Sequence, residues 1–361
     1  MHTDSLPLID LSGTPQVCGR AHGEALRAVI AGKIERWHAA IGEAYGQEPN
    51  AFLRRLLAGT DFRPAIARWT PALAEEIAGI AEGAGQAEET IYAMQLMDEE
   101  WWFGQAETDG HCSSLGVTTG EGTLLGQTLD LPRWHDGAQA LLRFRDANGT
   151  ETLVFTSAGM VGLMGVSGHG LGLCVNTLSQ LSRSRRGLPV ACVLRGALAR
   201  RDHSSALEFL RSVTHASGQN YLVGDRRAVT SLECSAGRAV AAEPSGGRVW
   251  HTNHPLASRD VVMAGVDLSG TAESRGRLAT LARRLDRTAA AAADVALIKE
   301  TLAARDDPAA PVSVEPAPQD APTAFMTIGA VVYELGETVR LHVAAGPPSR
   351  EGWRSIALKA A

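Results

Sequence analysis

The stretch Cys-Ser-Ser-Leu-Gly-Val-Thr-Thr-Gly-Glu-Gly-Thr-Leu-Leu-Gly-Gln-Thr-Leu-Asp-Leu-Pro, residues 112–132, decides how this chain is read. Two short apolar runs flank Gly120-Glu121-Gly122, and that pattern predicts a β-hairpin. Cys112 heads the first strand and Asp130 ends the second. A hairpin brings its outer ends together, so thiol and carboxylate are expected to be neighbours. The approach Asp109-Gly110-His111 is polar and Gly-containing, unlike the lead-in to a core strand. A free cysteine is most often a small core residue. Here the setting favours a nucleophile. If the His111–Cys112 bond were cut, the freed α-amine would lie beside the thiol. Its pKa near ~8 suits a general base. The expected cleavage site is therefore His111 and Cys112.

Working outward, residues 17–110 show helical spacing over 19–44, 50–59 and 72–104, punctuated by Pro64 and Pro71. From 112 onward the pattern changes to short strands and turns. Strands are expected near 141–144, 152–155, 171–175, 219–224, 228–234, 237–242 and 247–253. Two helices fall over 189–201 and 203–213, and a broken one over 275–304. The chain closes with a hairpin over 325–345. Hairpins, helices and hairpins in that order predict an α+β fold of two antiparallel sheets with helices outside. The expected division is a helical N-terminal segment, 1–111, and a catalytic domain, 112–361.

The chain has 361 residues, 45% hydrophobic and 20% charged, with a formal net charge of −6. That balance argues against nucleic acid. The basic cluster Arg183-Ser184-Arg185-Arg186 reads as a solvated loop. No basic-then-apolar leader and no membrane-length apolar run is seen, so the expected compartment is the cytoplasm, with no membrane partner. Five widely spaced cysteines with no C-x-x-C pair suggest neither a disulfide framework nor zinc. His251 and His254 would point to opposite faces of a strand, so no metal and no cofactor is expected.

Other candidates follow. Asn253, at a strand end, is suited to donate to a developing oxyanion, or else caps the turn before Pro255. The glycines of 159–172 suit close turns beside a pocket. Arg277 lies near the start of a helix. Trp101-Trp102-Phe103 reads as core, or as the lining of an acyl pocket.

Taken together, these segments resemble the isopenicillin-N acyltransferase-like family of N-terminal nucleophile hydrolases, peptidase family C45, and are more distantly similar to acid ceramidase and choloylglycine hydrolase. The matching residues are Gly19-Arg20-Ala21-His22-Gly23, Cys112-Ser113-Ser114, Gly126-Gln127 with Asp130, and Gly170 to Leu173. Further matches are Leu188-Pro189 to Arg195, Asn220 to Asp225 with Glu233, His251 with Asn253-His254, Ser274 with Arg277, and Ala344 to Pro347. The resemblance implies an αββα sandwich and a precursor cut before Cys112 into a small and a large chain. It implies Cys112 as nucleophile toward an amide or thioester, its own amine as base, Asp130 orienting that amine, and Asn253 stabilising the oxyanion. Gln127, Ser167, Trp102 and Arg277 would bind a small-molecule amide or acyl substrate, with an acyl thioester as a possible donor. The chain departs from the family pattern at His111, where glycine is usual, at Thr128, and at Ser167. Two alternatives stay open: an uncut thiol hydrolase with His111 or His251 as base, and a non-catalytic binding protein.

Overall fold

A computed structural model describes residues 3–105 and 111–359. A short strand β1 (Leu8–Leu11) leads into seven helices: α1 (Pro15–Ala25), α2 (Arg27–Tyr45), α3 (Pro49–Gly59), α4 (Arg63–Trp69), α5 (Pro71–Ala84), α6 (Glu88–Met94) and α7 (Met97–Gly104). Pro15, Pro49, Pro64 and Pro71 each sit in a first turn, where proline's missing N–H costs nothing. The strands then follow: β2 (Ser113–Thr118), β3 (Thr123–Pro132), β4 (Gln139–Arg145), β5 (Glu151–Ser157), β6 (Met164–Ser167) and β7 (Leu171–Thr177). Helices α8 (Val190–Leu198) and α9 (His203–Ser212) precede β8 (Gln219–Gly224), β9 (Val229–Cys234), β10 (Ala239–Ala242) and β11 (Arg248–His251). Last come α10 (Ala272–Leu285), α11 (Val295–Leu302), β12 (Phe325–Leu335), β13 (Val339–Ala344) and β14 (Arg354–Ala357).

The strands form two sheets, ordered β1-β4-β5-β6-β7-β8-β9-β10 and β11-β2-β3-β12-β13-β14. Apart from the edge pair β1–β4, which is parallel, every pairing is antiparallel. The sheets pack face to face. Helices α8 and α9 cover the outer face of the first sheet, and α10 and α11 that of the second. This is the expected αββα sandwich. All ten residues of β3 are buried, because it lies between two strands and between two covered faces. The sequence reading missed β1, β6 and β14, each only four residues long and too short to show a period.

The N-terminal helices share one core with the sheets. Helices α1 and α5 approach backbone to backbone. A Cβ on Gly19 would stand 2.0 Å from the Glu76 carbonyl oxygen, and one on Gly83 would stand 2.1 Å from that of Arg20. Only glycine permits this contact. It explains the glycines around His22, whose Nε2 accepts from the Gly159 amide at 3.1 Å. Gln95 grips the same loop, donating to the Gly159 carbonyl at 2.8 Å and accepting from the Val161 amide at 2.8 Å. The helices thus hold one wall of the site described next. No helix among the described residues is long and apolar enough to cross a membrane.

Candidate active site

Hairpin β2–β3 places Cys112 and Asp130 as its sequence predicts. Ser113 pairs with Thr128, and the Asp130 amide donates to Cys112 Sγ at 3.5 Å. Cys112 is buried, and burial, reinforced by the Asp130 charge, pushes its thiol up to about 12. In this state it is a protonated thiol, a weak nucleophile without a base. Asp130 is buried too, and desolvation pushes its carboxyl up to about 7. Its Oδ1 accepts from Thr327 Oγ1 at 2.6 Å. Its Oδ2 is buried with no hydrogen-bond partner among the described residues. A register shift between Thr327 and Gly329 interrupts the β3–β12 ladder here, so a bulge sits beside the thiol.

Arg277, from the second turn of α10, comes in from the opposite side. It is 1% exposed. Its Nη1 donates to the carbonyl oxygen of His111 at 2.6 Å, to that of Cys112 at 2.7 Å and to Ser113 Oγ at 3.1 Å. Its Nη2 donates to Asn253 Oδ1 at 3.1 Å. The helix is aimed by its caps: Thr271 accepts from the Ser274 amide, and Ser274 Oγ accepts from the Asn253 amide at 3.0 Å. Asn253 Nδ2 donates to the Thr177 carbonyl at 3.1 Å. Four of the expected residues, His111, Cys112, Asn253 and Arg277, therefore meet through one guanidinium.

The cavity at Cys112 is about 30 Å³, room for a water or two. Its lining is mainly apolar, including Met97, Trp101, Leu129, Met160, Leu163 and Phe325, with Asp98 and Asp130 as its acids. Trp102 lies next door. It lines a separate outward pocket, of about 130 Å³, that shares Asp98, Trp101 and Thr177 with the first.

Gln127 and Ser167 line neither pocket. Gln127 ties β3 to β7 across the sandwich, accepting from the Val175 amide at 2.8 Å and donating to the Val175 carbonyl at 2.5 Å. Ser167 ends β6, and its Oγ accepts from the His169 amide at 3.2 Å. Their places in the chain resembled pocket positions, but their polar atoms are used in holding the scaffold.

Three consecutive buried acids escaped the sequence reading. Asp98 accepts from Thr177 Oγ1 and Gln219 Nε2, Glu99 from Ser217 Oγ, and Glu100 from Trp37 Nε1. Burial raises the pKa of all three. A run Asp-Glu-Glu in a first helical turn normally signals solvent and a favourable dipole, so no local signal marked it. The histidines are engaged elsewhere. His251 uses both ring nitrogens, on Glu233 at 2.8 Å and on the Thr252 carbonyl at 2.8 Å. Burial and the Arg277 charge lower His111 to about 4. No cluster of three or more metal-ligating side chains occurs among the described residues.

The sequence model of the family described as acyl-coenzyme A:6-aminopenicillanic acid acyl-transferase matches residues 117–347, more than half of the chain. The chain belongs to this family. It is 29% identical, over 254 residues, to the 40 kDa form of acyl-coenzyme A:6-aminopenicillanic-acid acyltransferase of Emericella nidulans, a match covering 69% of each protein. Its fold is similar to that of a variant of conjugated bile acid hydrolase from Clostridium perfringens, at a TM-score of 0.50 and 13% identity, covering 68% of this chain and 92% of that one. The sandwich is that of the N-terminal nucleophile hydrolases. As a member of the acyl-transferase family, the protein is an enzyme of the acyltransferase class.

Proposed function

We propose that the protein is a precursor that cuts itself between His111 and Cys112, and then acts as a cysteine N-terminal nucleophile enzyme on a small-molecule amide or thioester. One observation carries this reading. The carbonyl directly preceding the thiol is held by Arg277 at 2.6 Å, on the same guanidinium that holds Asn253.

The self-cleavage proceeds as an acyl shift. Cys112 Sγ attacks the His111 carbonyl carbon while its proton leaves to Asp130, the one ionisable acid of the cavity on the hairpin that carries the thiol. Charge gathers on the His111 oxygen, where Arg277 stabilises it. The C–N bond then breaks, its nitrogen takes the proton, and His111 is left as a thioester on Sγ. Water hydrolyses that ester. The products are a carboxylate at His111, a free thiol and a free α-amine on Cys112. The small chain would be 1–111 and the large chain 112–361. The small chain stays attached through the shared core and through β1 in the first sheet.

The new amine supplies what the uncut site lacks. As an ammonium it would satisfy the partnerless Asp130 Oδ2, and as an amine it would take the thiol proton. A substrate carbonyl would occupy the place of the His111 carbonyl. Its oxyanion would meet Arg277 and the Asn253 amide, and the leaving group would depart with the proton. Water or an amine would then release the acyl-enzyme. The 30 Å³ cavity is far smaller than the several hundred Å³ of usual ligand sites, consistent with a site that opens on cleavage. An uncut thiol enzyme is disfavoured, since His251 has no nitrogen to spare and His111 faces Glu273 at 3.4 Å.

Intact-mass measurement of the purified protein tests the reading. A large fragment starting at Cys112 and labelled there by a reactive acyl ester is expected. A full-length chain that never becomes acylated refutes it.

A further inference from the structure

The basic cluster Arg183-Ser184-Arg185-Arg186 does not sit on an unrelated loop. Arg183 lines the outward pocket next to the Cys112 cavity. Its guanidinium lies 5.2 Å from the Trp102 ring centroid, a cation–π contact that fixes its place. Trp102 is itself anchored: its Nε1 donates to Ser217 Oγ at 3.0 Å, and Ser217 donates to the buried Glu99 at 2.8 Å. Arg183 forms no ion pair among the described residues. The charge of Arg185 acts on it, and Arg185 itself donates to the Gly59 carbonyl at 2.9 Å. Other charged groups nearby are Asp98 in the shared wall, which accepts from Thr177 Oγ1 and Gln219 Nε2, Asp260, which accepts from Ser182 Oγ at 2.6 Å, and Arg186, 3.9 Å from Asp61. An aromatic shelf thus carries a guanidinium that makes no ion pair among the described residues, at the exposed side of a site whose inner cavity is mainly apolar.

We propose that this pocket is a subsite for an oxyanion, a carboxylate or a phosphate, on the leaving group or acceptor of the acyl transfer, with Arg183 as its recognition residue. The division follows from chemistry: an apolar acyl group suits the Cys112 cavity, and the charged half of the substrate must then lie outward. That division rests on the reading of Cys112 as nucleophile, whereas binding of the oxyanion does not.

The test is equilibrium binding without any acyl donor, by calorimetry, on the protein as purified. 4′-Phosphopantetheine is compared with pantetheine, which differs from it only by the phosphate, and free amino acids with their amides, which lack the carboxylate charge. The member of at least one pair that carries the oxyanion should bind about tenfold tighter, as expected for a hydrogen bond to a charged group. The preference should shrink at high salt and vanish in Arg183→Met, whose exposed side chain leaves the melting temperature unchanged. The pair that responds identifies carboxylate or phosphate. No preference in either pair, or a preference that survives Arg183→Met, overturns the subsite. A chain that shows the preference but never acylates Cys112 refutes the enzymatic reading and leaves the subsite standing.

Discussion

Arg277 donates one hydrogen bond to the carbonyl oxygen of His111 at 2.6 Å, across 166 positions of sequence. It is the residue that joins the peptide bond before the thiol to the amide expected to hold an oxyanion. It donates to main-chain carbonyls, to Ser113 Oγ and to Asn253, and it lines neither pocket, so on the proposed reading direct contact with substrate would follow only once the His111 carbonyl has left.

Arg277→Gln should therefore slow self-cleavage by about a hundredfold or more, the usual cost of losing an oxyanion donor. Mass spectrometry of freshly made protein would show a full-length chain accumulating. Cleavage at the wild-type rate would show that the guanidinium is structural only.

Self-cleavage should speed up as pH rises through about 7, where Asp130 passes from acid to carboxylate. The sign follows from burial, which holds the proton on Asp130 below that pH. Asp130→Asn should remove both the rate and its pH step. A flat profile in the wild type would exclude Asp130 as the proton acceptor.

Asn253→Ala should lower kcat by about a hundredfold. Its backbone amide stays on Ser274 Oγ, so the loop is retained. An unchanged kcat would remove Asn253 from the oxyanion site.

Glu100 is buried, with its pKa raised from 4.5 to about 7 chiefly by desolvation. The folded chain then binds a proton that the unfolded chain releases, so its stabilising contribution is present below about 4.5 and is lost as pH rises through about 7. Glu100→Gln can still accept from Trp37 and can donate to Tyr45. Thermal melts should find it more stable than wild type by about 1–3 kcal/mol near pH 8, with no gain at pH 4. A constant difference across that range would contradict the assignment.

Gly19→Ala should cost about 1–3 kcal/mol, because its methyl would press on the Glu76 carbonyl of α5. A melting temperature equal to wild type would mean that α1 and α5 separate without penalty.

What local sequence determined is the hairpin, and with it the meeting of Cys112 and Asp130. Two apolar runs around Gly120-Glu121-Gly122 allow few registers, and the antiparallel pairing of Ser113 with Thr128 follows. Most helices and strands were legible for the same reason, since periods of 2 and 3.6 are short-range signals. The four-residue strands β1, β6 and β14 were too short to carry one. Tertiary packing alone decided the rest. It set Arg277 against residues 165 positions away, buried Asp98, Glu99 and Glu100 in spite of their charge, placed Trp102 in its own pocket, and used Gln127 as a tie between sheets. None of these has a local signature. A polar side chain's role depends on which distant groups desolvate and pair with it, and only the packed sandwich specifies them.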